Sequence, residues 1–196
     1  MTHDLLFRLI LGVLAAGLYV NHHIIHRRPT IRRPARERER LGSNEYWLIA
    51  TTLLWTLSLV LAVVNIGRFN FPMPLPEWVR WVGVTAMLAC VPLSHWTYTT
   101  LGVHFSKKLE LRGDHQLVNT GPYRYVRHPM YSTLFLCAGA TCLISASLLV
   151  VLTTLPVAIV FLLRVRKEEG LLLGRFGDIY REYQGRTGAL VPKLLQ

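Results

Sequence analysis

The chain has 196 residues, 52% of them hydrophobic and 17% charged, with a formal net charge of +11. A soluble protein of this length would be one medium domain, but the positive mean hydropathy and long unbroken apolar runs point to the membrane class. The placement of the basic charge argues against nucleic acid: Arg27–Arg40, Lys107–Arg127 and Arg164–Lys193 are loops and tails beside apolar runs, with no base-reading motif among them.

A membrane span needs about 20 apolar residues. Leu5 to Ile25 supplies the first, with Arg8 near one end and His22, His23 and His26 at the other. Asp4 precedes the run and no small-residue cleavage site follows it, so it reads as a retained helix rather than a signal peptide. His22 and His26 stand one turn apart, a metal-ligand spacing, but no carboxylate or cysteine accompanies them and no metal site is assigned. Arg27–Arg40, rich in arginine and proline, reads as a solvated loop or short surface helix. Tyr46–Ile66 is the second span, carrying Trp47 and Trp55. Phe69–Pro76 is a proline-broken turn of little charge. Trp78 and Trp81 open a third span that runs to about Tyr98, with Pro92 expected to kink it.

Leu101–His128 is polar and too long for a simple turn. Thr133–Leu163 is apolar again and longer than one span requires. The Ser145-Ala-Ser147 interruption divides it into a helical hairpin, and Pro156 bends the return helix. The count is five transmembrane helices in an all-α integral membrane fold, with the N-terminus outside and the C-terminus cytoplasmic. The short connections near Pro72 and Ser145 then meet on the far side. Cys90, Cys137 and Cys142 sit inside apolar runs, an odd number without paired spacing, and read as small packing residues. Beyond Arg164 a charged helix is expected over Lys167–Tyr183, with Leu172, Phe176, Ile179, Tyr180 and Tyr183 on one apolar face. It either lies in the interface or packs back over the polar loop as a lid. The chain divides into residues 1–100, three N-terminal helices with a basic loop, and 101–196, where the chemistry concentrates.

Gly121-Pro-Tyr-Arg-Tyr-Val-Arg-His-Pro-Met-Tyr131 runs directly into an apolar segment. Turn formers, tyrosines, Arg127 and His128 at the lip of a bilayer suit a site shared by a water-soluble reagent and a lipid-phase substrate. The plainer readings are that Arg124 and Tyr125 anchor a helix end among headgroups, and that His128-Pro129 is a cap with a proline in the first turn. A second cluster is Arg164, Arg166, Lys167, Glu168 and Glu169. Ionisable groups at membrane depth are costly and more often functional than those in open loops. Arg164 and Glu168, four apart, form either a surface ion pair of about 0.2–0.5 kcal/mol or a working pair. In the working pair Arg164 takes an anionic substrate by a bidentate contact and Glu168 receives a cationic group such as an amine.

Together these residues resemble the isoprenylcysteine carboxyl methyltransferase family, and especially its short prokaryotic members. The resemblance covers Leu101 to Pro192. It rests on Asp114-His-Gln-Leu-Val118, Gly121-Pro-Tyr123, Arg127-His-Pro-Met-Tyr131, Arg164 with Lys167-Glu-Glu169, and Phe176-Gly-Asp-Ile-Tyr-Arg-Glu-Tyr183 followed by Thr187 and Pro192. It implies an integral membrane enzyme of the prokaryotic inner membrane that uses S-adenosylmethionine and releases S-adenosylhomocysteine. The implied cofactor pocket is cytoplasmic and closed by the C-terminal helix. By the same resemblance His115, Gln116, Leu117 and Val118 line the cofactor and Tyr123 contacts it. His128, Pro129, Met130 and Tyr131 close the pocket, Glu168 binds the cofactor, and Arg164 is the catalytic, substrate-binding arginine. One departure is Lys108, where some eukaryotic members place a glutamine cofactor contact.

The residue types suit methyl transfer to a carboxylate. An in-line displacement mainly needs alignment, and a carboxylate, already ionised at neutral pH, needs no base. An amine would have to lose a proton first, to His115, His128 or a glutamate. The implied partners are a lipophilic or lipidated acid entering sideways from the bilayer, and membrane lipids. Three rivals are phospholipid or amine N-methylation, an NADPH-dependent sterol-type reductase and a non-catalytic scaffold. The reductases are usually longer, and a scaffold would not need Tyr123, His128, Arg164 and Glu168 together.

Overall fold

A computed structural model of the protein describes residues 2–27, 43–64, 71–101 and 117–193. Among them are six α-helices: α1 (Thr2–Arg27), α2 (Ser43–Val64), α3 (Glu77–Leu101), α4 (Pro129–Ser145), α5 (Leu148–Phe176) and α6 (Asp178–Arg186). A 3-10 turn, Gly121–Arg124, precedes α4, and the described residues contain no strand. His3–Asn21, Tyr46–Val64 and Leu148–Phe176 are long and apolar enough to cross a membrane, and α4 is a shorter apolar helix. α3 matches them in length but carries Glu77, Arg80 and His95. Val13, Leu53, Leu57, Leu155 and Ile159 stand exposed along α1, α2 and α5. So much apolar surface is stable only against lipid, where helices keep every backbone group bonded within themselves. The protein is an all-helical integral membrane protein.

α3 packs chiefly on α4, α2 on α5, and α1 on α3. Phe7 and Leu11 of α1, Val84 and Met87 of α3, and Ala140 and Ile144 of α4 form one buried cluster. At its edge Arg80 is only 6% exposed. Its Nε and Nη2 donate to the Ile144 carbonyl at 3.1 and 3.0 Å, and its Nη1 donates to Asp4 at 2.6 Å. The guanidinium also lies 4.0 Å over the Phe7 ring. One side chain thus satisfies a carbonyl left unpaired at the end of α4 and ties in α1.

The α4–α5 hairpin turns at Ala146, which takes a left-handed conformation (φ 46°) that costs a non-glycine residue about 1–2 kcal/mol. The Met73 N–H donates to the Ala146 carbonyl at 2.7 Å, and the Leu148 N–H to the Phe71 carbonyl at 2.9 Å. The two short connections therefore meet, as their lengths required. Pro92 and Pro156 both lie inside continuous helices.

The charged helix expected over Lys167–Tyr183 does not form as a separate element. α5 continues through Arg164 and the two glutamates to Phe176, and the chain turns only at Gly177, whose φ of 54° other residues adopt reluctantly. At about 1.5 Å per residue its 29 residues reach about 43 Å, beyond a hydrocarbon layer of about 30 Å. Lys167–Tyr183 is accordingly two helices, and its expected apolar face is split. Tyr180 and Tyr183 are buried, whereas Ile179 is 65% exposed. The reason is that charge alone does not stop a helix; a backbone conformation does.

Candidate active site

The approach to α4 is built around its 3-10 turn. Pro122 presets the backbone, the Tyr123 N–H donates to the Thr120 carbonyl at 3.1 Å, and the Tyr125 N–H donates to the Pro122 carbonyl at 3.1 Å. Tyr123 is buried, and its carbonyl accepts the Tyr183 hydroxyl of α6 at 2.6 Å. The residues after α6 then run alongside the loop as a strap. The Arg127 and His128 N–H groups donate to the Gly188 and Ala189 carbonyls at 2.9 and 3.0 Å, and Ser132 Oγ donates to the Leu190 carbonyl at 2.6 Å. Arg127 fastens the assembly. Its guanidinium donates to the carbonyls of Thr187 and Gln184 and to Glu169 Oε1 of α5, the last at 2.7 Å. Through Tyr183 and the strap, α6 is tied to the described end of the polar loop, residues 117–128.

Glu168 and Glu169 are neighbours on α5, so at about 100° per residue their carboxylates diverge. Glu169 turns to Arg127. Glu168 turns to Tyr131 in the first turn of α4, whose hydroxyl donates to Glu168 Oε2 at 3.0 Å and accepts Arg164 Nε at 3.1 Å. The Tyr131 ring is wedged between Phe161 and His128, at 5.7 and 5.8 Å between centroids. His128 is 3% exposed. Its Nε2 lies 3.3 Å from Glu169 Oε1 but out of line for a hydrogen bond, which leaves a buried nitrogen without a partner among the described residues. Burial holds its pKa below the ordinary 6.5 despite Glu168 and Glu169 nearby, so the imidazole is neutral at pH 7. Burial also lifts the Tyr123 phenol far above its usual range and pushes Tyr183 up to about 12, so neither is a base near neutrality.

Of the residues singled out in the sequence, Tyr131, Arg164 and Glu168 form one hydrogen-bonded cluster. His128 stands against Tyr131 on one side and Glu169 on the other. His128 does precede α4 with Pro129 at its start, but makes no side-chain capping bond. Pro129 is buried, and Met130 joins an apolar cluster with Tyr98 and Leu101 of α3. Leu117 and Val118 are half-buried ahead of the turn. His115, Gln116 and Lys108, and the side chains of His22, His23 and His26, lie outside the described residues. No group of three metal-ligating side chains occurs among the described residues.

The sequence places Arg127 and Glu169 in its two clusters but assigns neither a partner; the structure pairs them with each other. Two carboxylates side by side on a helix could have signalled two different partners. Chemically, the cluster suits a ligand that is cationic at one end and polar at the other. Glu168 is an anion for an amine, and His128 Nε2, buried and without a hydrogen-bond partner among the described residues, can bond one ligand group. Arg164 is a cation on the same Tyr131 hydroxyl as Glu168.

The sequence pattern of the isoprenylcysteine carboxyl methyltransferase (ICMT) family matches residues 81–174. A protein-S-isoprenylcysteine O-methyltransferase of Dictyostelium discoideum is 26% identical over 92% of this chain and 76% of its own length. Methanethiol S-methyltransferase 1 of Bradyrhizobium diazoefficiens is 28% identical over 62% of the chain and 47% of its own. A solved eukaryotic intramembrane Ras methyltransferase of the ICMT type superposes with a TM-score of 0.58 at 20% identity, over 94% of this chain and 64% of that one. The chain thus spans less than two thirds of the latter two proteins. The likeness to the solved structure is one of fold.

Proposed function

We propose that the chain is a member of the isoprenylcysteine carboxyl methyltransferase family, whose pattern it matches over residues 81–174, and, from the geometry of its site, an S-adenosylmethionine-dependent membrane methyltransferase acting on the carboxylate of a lipophilic acid. The observation that carries the reading is the Arg164–Tyr131–Glu168 cluster, which sets a cation and an anion on one tyrosine hydroxyl at the membrane boundary. The cofactor, when bound, supplies a methyl group on a positively charged sulfur. Glu168, held by Tyr131, takes its amine. His128, neutral and buried, offers Nε2 to one of its polar groups, with Tyr123 and the Leu117–Val118 backbone beside it. Arg164 would orient the acceptor carboxylate toward the methyl group that the bound cofactor supplies. No proton moves, so no base is required. The strap over the loop excludes water that would compete for the same geometry.

The finer topology belongs to the same reading. α1 to α5 each cross the membrane, with the N-terminus outside and the pocket facing the cytoplasm of a prokaryotic cell. Residues 1–100 act as scaffold and 101–196, with His115 and Gln116, as the catalytic part. The similarity to an enzyme named for a thiol acceptor favours one second reading, transfer to a thiol. That acceptor would have to lose a proton, and His128 is the group in place to take it.

Calorimetric titration of the detergent-purified protein with S-adenosylhomocysteine, with NADPH in parallel, tests the assignment. Saturable binding of the former alone is expected. Binding of NADPH alone would transfer the chain to the reductases.

A further inference from the structure

At the level of Arg164, α5 presents two faces. At about 100° per residue, Phe161, Val165, Glu168 and Glu169 lie together on the side of Tyr131 and Arg127. Val160, Leu163 and Lys167 lie on the other, toward α2. With Trp47 and Leu48 of α2, and with Arg164 and Arg166, they line a cavity of about 310 Å³. Arg164 is the seam between the two faces; Lys167 faces away from the cofactor side, and Arg166, about 100° round the helix from it, reaches the cavity from its other edge.

Depth and charge identify what this cavity suits. Counting from Leu148 at about 1.5 Å per residue, Arg164 lies about 24 Å along the helix and Lys167 about 28 Å, the edge of a hydrocarbon layer of about 30 Å. The floor of Trp47, Leu48, Val160 and Leu163 is therefore at acyl depth and the cations are at headgroup depth. Arg166 and Lys167 are exposed, and among the described residues no carboxylate pairs with either. One carboxylate would be met by Arg164 alone. A phosphodiester shares its negative charge over two non-bridging oxygens on a tetrahedral phosphorus, which can accept from two separate cations. The volume admits a headgroup and its first methylenes, while the rest of each chain stays in the bilayer.

We propose that this groove between α2 and α5 binds an anionic phospholipid, with the phosphate between Arg166 and Lys167 and the upper acyl segments against Trp47, Leu48, Val160 and Leu163. The site rests on the membrane placement of the fold and not on the methyl-transfer reading.

The full-length protein, delipidated in detergent, is titrated in native mass spectrometry with dioleoyl phosphatidylglycerol and, separately, dioleoyl phosphatidylcholine. The first phosphatidylglycerol adduct should form at about tenfold lower concentration or less, the scale of two interfacial cations. The double variant Arg166→Gln, Lys167→Gln should lose that preference at an unchanged melting temperature. Arg181→Gln with Arg186→Gln, which removes the same charge from α6, should keep it. If the double variant melts early, the two single variants are read in its place, each expected to lose part of the preference. Equal binding of the two lipids, a preference that survives in the Arg166 and Lys167 variants, or an equal loss in the α6 control would overturn the proposal. Displacement of phosphatidylglycerol by an equimolar isoprenylcysteine would also overturn it, by assigning the groove to a methyl acceptor.

Discussion

Arg164 and Glu168 share Tyr131 but are expected to fail differently. Arg164→Ala removes the charge-assisted contacts to the acceptor, worth about 1.5–3 kcal/mol, so turnover should fall by about ten- to a hundredfold or more. S-adenosylhomocysteine affinity should stay near wild type. Glu168→Gln should instead weaken S-adenosylhomocysteine binding itself in the same titration. An equal loss of cofactor affinity in both variants would remove Arg164 from the substrate side. His128 leads to a prediction of stability against pH. Its folded pKa lies below the ordinary 6.5 because burial disfavours the imidazolium. The unfolded chain therefore takes up a proton near pH 6.5 that the native state refuses, and stability, full above that pH, is lost as pH falls below it. His128→Gln should flatten this part of the melting-temperature profile between about pH 7 and 5 relative to wild type. An unchanged slope would mean that other groups carry it.

At the scale of elements, the loop before α4, α6 and the strap behave as one piece because backbone bonds join them. A Cβ on Gly188 would lie 1.8 Å from the Val191 carbonyl oxygen, whereas one on Gly185 in α6 would meet nothing within 4 Å. Gly188→Ala should therefore push the strap off Arg127 and His128, at about 1–3 kcal/mol. That corresponds to a melting temperature lower by several degrees, at about 2–4 °C per kcal/mol for a chain of this size, with weaker S-adenosylhomocysteine binding. Gly185→Ala should be neutral or slightly stabilising. If both variants melt alike, the strap does not hold the loop.

At the scale of the whole molecule, orientation in the membrane follows from the placement of the basic loops. In a background in which Cys90, Cys137 and Cys142 are replaced by Ala, Pro74→Cys would stand in the exposed turn before α3, and Asp178→Cys would stand at the exposed start of α6. A membrane-impermeant maleimide added to intact cells should label the first and reach the second only after lysis. The reverse pattern would invert the topology inferred from the basic loops. It would leave the helix packing untouched.

Apolar run length and the placement of arginine and lysine carry the membrane class, the helices and the hairpin at Ser145–Ser147, because spanning a bilayer imposes a length requirement that composition displays directly. The family motifs likewise picked out Tyr131, Arg164 and Glu168, which the fold gathers into one cluster. Two things were decided only in three dimensions. Where α5 stops depends on the φ of Gly177, a backbone property that a charged, helix-compatible stretch conceals. The partners of Arg127 and Glu169, and the separation of α5 into a face toward Tyr131 and a face toward α2, depend on which helices pack on either side. Residues far apart in the chain become neighbours through packing, and local periodicity does not encode which surfaces meet.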